Sequence, residues 1–69
     1  MIVIEGNVIN NLYEASILLK RFYEYEPFNI WYDEYDDSIG ISADGNYDDD
    51  NFYDALFTLE EVEQFVAEH

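Results

Sequence analysis

Residues 28–43 read FNIWYDEYDDSIGISA, and the alternation within them decides the fold. Phe28, Ile30 and Tyr32 fall on one side of an extended chain, Asn29, Trp31, Asp33 and Tyr35 on the other, in a run rich in strand-forming residues. Asp36 and Asp37 supply turn chemistry, after which residues 38–43 alternate again with Ile39, Ile41 and Ala43 on one face. The pattern predicts a β-hairpin. Its second face, with Trp31, Asp33 and Tyr35, is expected to look outward.

Upstream of the hairpin, Met1, Ile2, Val3 and Ile4 form a short apolar run stopped by Gly6, which predicts a first strand. From Asn7 the period changes, because Val8, Leu12, Ala15, Leu19 and Phe22 recur at helical spacing and Ile9 and Leu18 widen the same stripe. The expectation is an amphipathic helix of about 18 residues with Asn7 as N-cap and Pro27 as a stop beyond its end. Lys20 and Arg21 lie in its C-terminal half, where cations suit the helix dipole.

Downstream, Asp44, Gly45 and Asn46 are turn formers, and residues 47–51 read as an acidic loop. Residues 52–57 fit either a short third strand or an extension of the following helix. The series Thr58, Leu59, Glu60, Glu61 matches a capping box, and Phe57 and Val62 stand at the positions of a hydrophobic staple, so the last helix is expected to start at Thr58. It would bury Leu59, Val62, Phe65 and Val66. The order β-α-β-β-(β)-α predicts one α+β domain over residues 1–69, a small antiparallel-dominated sheet of three or four short strands with two helices packed on one face. Phe22, Phe28, Phe57 and Phe65 are the expected core aromatics, with Tyr35, Tyr47 and Tyr53 on the surface.

The chain has 69 residues, 49% of them hydrophobic and 19% aromatic, which is more apolar and aromatic than a disordered acidic tail and argues for a packed core. It has no cysteine, so neither a disulfide nor a thiolate site is available. No basic region followed by an apolar stretch opens the sequence and no run has the length of a membrane span, so a cytoplasmic protein with no membrane association is expected.

Enzyme chemistry finds little support. His69 is the one histidine, at the C-terminal end where fraying is expected, and Ser16, Ser38 and Ser42 belong to no nucleophile motif. A metal site is the stronger competitor, since Asp44, Asn46, Asp48 and Asp50 supply oxygen ligands at alternate positions. The match to a calcium loop then fails, because Asp49 stands where the turn glycine belongs and Ala55 where the bidentate glutamate belongs. No cofactor or specific metal is expected.

Charge is the dominant feature. There are 17 acids against two bases, a formal net charge of -15. Residues 33–51 hold eight carboxylates (Asp33, Glu34, Asp36, Asp37, Asp44, Asp48, Asp49, Asp50) and no Lys, Arg or His. Such a surface repels phosphates, which excludes direct nucleic-acid binding, and attracts what normally binds them. Fifteen charges correspond to about 25 Å of B-DNA axis, and a compact chain of this length is about 28 Å across. Carboxylates on alternate strand residues, or three to four apart on a helix as at Glu60 and Glu63, repeat at about 5 to 7 Å. Tyrosines interleaved with the acids, as in YEYEPFNIWYDEYDD, supply the aromatic anchors common in protein interfaces.

In size, charge and tyrosine content the chain resembles the acidic DNA mimics of phages and mobile elements, among them anti-CRISPR proteins, anti-restriction proteins and uracil-glycosylase inhibitors. That resemblance implies a stoichiometric inhibitor lodged in the nucleic-acid groove of a basic partner: a CRISPR effector, a restriction enzyme or a DNA-repair enzyme of a bacterial cell. The expected contact residues are Asp33, Glu34, Tyr35, Asp36, Asp37, Tyr47, Asp48, Asp49 and Asp50. An acidic adaptor or immunity-type protein that neutralises a basic protein without imitating DNA is the first alternative, and a small calcium-binding domain the second. A homodimer would double the charged length.

Overall fold

The computed structural model describes residues 1–25, 29–42 and 53–69. The chain runs β1 (Ile2–Ile4), β2 (Asn7–Ile9), α1 (Leu12–Phe22), β3 (Asn29–Asp33), β4 (Ser38–Ser42), β5 (Tyr53–Leu56) and α2 (Leu59–Glu68). This is the expected α+β class, with the strands in two antiparallel sheets, β1-β2 and β3-β4-β5.

The first helix begins later than its apolar spacing predicts, and the residues it gives up form β2. Glu5 and Gly6 both take positive φ, 50° and 81°, which makes a two-residue turn whose twist suits a hairpin. Asn7 Nδ2 donates to the carbonyls of Ile4 and Glu5, both at 3.2 Å, and Val3 pairs with Val8. The true N-cap is Asn11. Its side chain accepts from Glu14 N at 2.8 Å, and Glu14 Oε1 accepts from Asn10 N at 2.8 Å, satisfying two donors that a helix start leaves open.

The β3-β4 hairpin is present, with Ile30 opposite Ile41 and Tyr32 opposite Ile39. Its first strand ends at Asp33, so Glu34 and Tyr35 belong to the loop at 34–37 rather than to the strand. Residues 53–56 resolve the ambiguity before α2 in favour of a strand, which pairs with β4. β4 is therefore central and buried along its whole length. Its inner face, Ile39 and Ile41, joins Ile30, Leu56, Leu12, Ala15, Leu19, Val62 and Phe65 in one core.

The outer face of the sheet is not simply turned to solvent, as the alternation suggested for Trp31. The half-buried Trp31 is register partner to Gly40, and its indole lies where a Gly40 side chain would be. Two aromatic assignments are corrected: Phe22 and Phe57 are 37% and 56% exposed. With the helix starting at Leu12, Tyr23 takes the buried place at its C-cap and meets Phe65 edge-on at 5.4 Å. Phe65 is buried as expected, whereas Phe28 lies outside the described residues.

Candidate partner-binding surface

The loop at 34–37 is shaped by two carboxylates, Asp33 at the end of β3 and Asp37 within the loop. Asp33 Oδ1 accepts from the backbone N of Tyr35 at 2.9 Å and of Asp36 at 3.4 Å, the short-range pattern by which an aspartate folds a turn. Asp37 sits at φ 50° and accepts from the Tyr32 hydroxyl at 2.7 Å. That hydrogen bond raises the Tyr32 pKa above its ordinary value of 10.0. Partial burial and the negative charges of Asp37, Glu34 and Asp33 push it the same way. Asp33 and Asp37 thus shape the loop, while Glu34, Tyr35 and Asp36 are presented to solvent, Tyr35 with 94% of its surface free.

Chain direction then decides what surrounds this loop. The ring of Tyr13 meets Tyr32 edge-on at 5.5 Å, so α1 begins at the hairpin end of the sheet. Leu56 pairs with Ile39 near the same end, and α2 starts three residues later behind its N-cap Thr58, whose Oγ1 accepts from Glu61 N at 3.1 Å. Both helix N-termini therefore stand beside the loop, and carboxylates favour that place because the helix dipole is positive there. Glu14, Glu34, Asp36, Asp37, Glu60 and Glu61, from three separate elements, gather at one end. Lys20 and Arg21 are in the last turn of α1, at its other end.

Sequence reasoning alone did not bring Glu14 and Glu61 to the hairpin. The signal was present in two matching series, Asn11 with Glu14 and Thr58 with Glu61, which mark where each helix begins.

β4 leads from the 34–37 loop to Ser42, whose register partners are Asn29 and Tyr53. Four strand steps separate Ser38 from Ser42, about 14 Å. Of the expected contact residues, Asp33, Glu34, Tyr35, Asp36 and Asp37 come together. Tyr47, Asp48, Asp49 and Asp50 lie outside the described residues, as do the calcium-loop positions Asp44 and Asn46.

Twelve of the 17 carboxylates are described. Ten are exposed, Asp33 and Glu61 are half-buried, and none is fully buried. Among the described residues no group of three or more His, Asp or Glu side chains is placed to hold a metal ion, and no helix is long and apolar enough to cross a membrane. His69, expected to fray, stacks on Phe65 with ring centroids 4.3 Å apart, and its backbone N donates to the Phe65 carbonyl at 3.1 Å. Comparison with protein-family models, curated proteins and solved structures gives no match to this chain.

Proposed function

We propose that this protein is a non-catalytic DNA mimic, an inhibitor that occupies the nucleic-acid groove of a bacterial defence or DNA-processing protein in the cytoplasm. An anti-CRISPR or anti-restriction role fits it best. The observation that carries the proposal is charge that is both exposed and unneutralised, 17 acids against two bases, with no described carboxylate buried. Along the 34 Å long axis the net charge of -15 amounts to one charge per about 2.3 Å, against about 1.7 Å for B-DNA.

The hairpin end supplies the local chemistry. An arginine that normally grips a phosphate can pair with Glu34 or Asp36 while its guanidinium plane stacks on Tyr35, whereas a lysine would gain only the charge. Clustered charge steers association, so binding is expected to be fast and to weaken steeply with salt.

The test is competition. The protein is immobilised, exposed to bacterial lysate at low salt, and the retained proteins are challenged with duplex DNA. Elution of a nucleic-acid-binding protein by duplex is the expected result. Retention of the partner with duplex bound alongside would favour the acidic adaptor, and recovery of no nucleic-acid-binding protein would end the proposal. Charge reversal of Glu34 and Asp36 together should weaken the captured partner at least tenfold, with reversal of Glu5 and Glu24 doing far less.

A further inference from the structure

One surface of the molecule combines both signs of charge with exposed apolar side chains. The outward face of α1 has Ile17 at its centre, 45% exposed, with Tyr13 one turn before it and Lys20 and Arg21 one turn after. Beside it, Val8 on β2 is 56% exposed next to its cross-strand partner Val3, also exposed. A shallow groove between β2 and α1 is lined by Val8, Glu14, Ile17 and Arg21. Scattered apolar residues on a surface need no explanation, but here they surround the only Lys and Arg in the chain.

The arrangement is self-complementary. Glu14 and Arg21 are seven residues apart, two helical turns, on the same side of α1, with Ile17 between them. When two such helices are laid antiparallel about a twofold axis through Ile17, Glu14 of each copy meets Arg21 of the other. Tyr13 then comes beside Lys20 of the other copy on the opposite flank, and the two Ile17 side chains meet at the axis. An isologous contact makes every such pair twice. For a chain of net charge -15 this is the face on which a second copy is attracted rather than repelled.

We propose that the α1 face with the adjoining β2 groove is a homodimer surface, in which α1 packs antiparallel against α1 of a second copy about Ile17. Of the acids at the hairpin end the α1 face uses Glu14, and it does not include the 34–37 loop. This inference stands independently of the DNA-mimic proposal.

Sedimentation equilibrium tests it on the intact chain at about 150 mM salt, where screening over about 8 Å removes long-range repulsion and leaves close pairs. At about 100 μM, well above the dissociation constant of a micromolar dimer, the mass should be twice the 8.2 kDa of the chain. A monomer there overturns the proposal. Ile17→Asp should weaken association at least tenfold, as should Glu14→Lys and the pair Lys20→Glu with Arg21→Glu, each checked for folding by circular dichroism. Glu14→Lys lowers the net negative charge by two, so general repulsion alone would make it associate better than the parent. An equimolar mixture of the Glu14→Lys protein with the Lys20→Glu/Arg21→Glu protein should recover dimer that neither forms alone. Failure of the mixture, or parent-like association of the variants, would assign any dimer to another face and refute this one.

Discussion

Gly40→Ala isolates what holds the outer face of the sheet. A Cβ at Gly40 would overlap Cε2 and Cζ2 of the Trp31 indole, so the ring must swing off the strand. If that exposes about 100 Å² of apolar surface, the loss is about 2.5 kcal/mol at about 25 cal/mol per Å². The substitution also removes a strand glycine, which returns about 0.5–1 kcal/mol of backbone entropy. The net destabilisation is about 1.5–2 kcal/mol, or a fall in Tm of about 6–16 °C for a domain of this size. Thermal unfolding measures the loss, and the emission maximum of the single tryptophan, expected to move to longer wavelength, reports where the indole has gone. In a Trp31→Ala background the same Gly40→Ala change should be neutral or stabilising, because nothing remains to clash. A Gly40→Ala protein that melts at or above the parent temperature with unshifted emission would refute the packing of Trp31 on Gly40.

Three further outcomes follow from the hydrogen bonds and turns. Tyr32 holds its proton above pH 10 in the fold but not when unfolded, so the folded state binds more protons across that window and stability falls as pH rises through it; Tyr32→Phe should flatten this alkaline loss, measured by urea unfolding between pH 9 and 12. Thr58→Ala removes the acceptor for Glu61 N and should cost about 1 kcal/mol, whereas Thr58→Asp should cost much less in the same thermal melt. Glu5→Asn places a residue tolerant of positive φ in the β1-β2 turn and should stabilise by about 0.5–1 kcal/mol, while Glu5→Gln, which removes the charge but not the strain, should not match it.

The last helix and the hairpin were legible because each carries a local mark: the Thr58 to Glu61 capping box and the alternation across Ile30, Tyr32, Ile39 and Ile41. The start of α1 was misplaced because Val8 and Ile9 fit a helical stripe as well as they fit a strand. Periodicity cannot arbitrate over so short a run. Gly6 and the Asn11 with Glu14 pair decide it, since a two-residue turn makes β2 and a cap at Asn11 leaves Val8 outside the helix. The same shift explains the aromatics, with Tyr23 rather than Phe22 turned to the core. Burial of Ser38, Gly40 and Ser42 on the outer side of β4 was not legible in the alternating pattern, which marks only one face as apolar. The joining of Glu14, Glu34 and Glu60 at one end is tertiary, and follows from the direction in which each element enters the fold.

That joining also separates two reasons for an acid to be where it is. Glu14 and Glu61 accept hydrogen bonds that start helices, and Asp33 and Asp37 hold the hairpin loop, so four of the carboxylates at or beside the hairpin end have work within the fold. Glu60, in the first turn of α2, gains from the helix dipole. Part of this concentration of acids is therefore a consequence of two helices beginning beside one turn, and would be found in a protein with no basic partner. Glu34 and Asp36 have no such role. They flank the most exposed tyrosine among the described residues, on a loop already crowded with like charge, where each adds repulsion to the folded state. In the proposed complex a partner's cations would give these two residues a stabilising contact. Charge reversal there, rather than at the capping acids, separates loss of recognition from loss of fold.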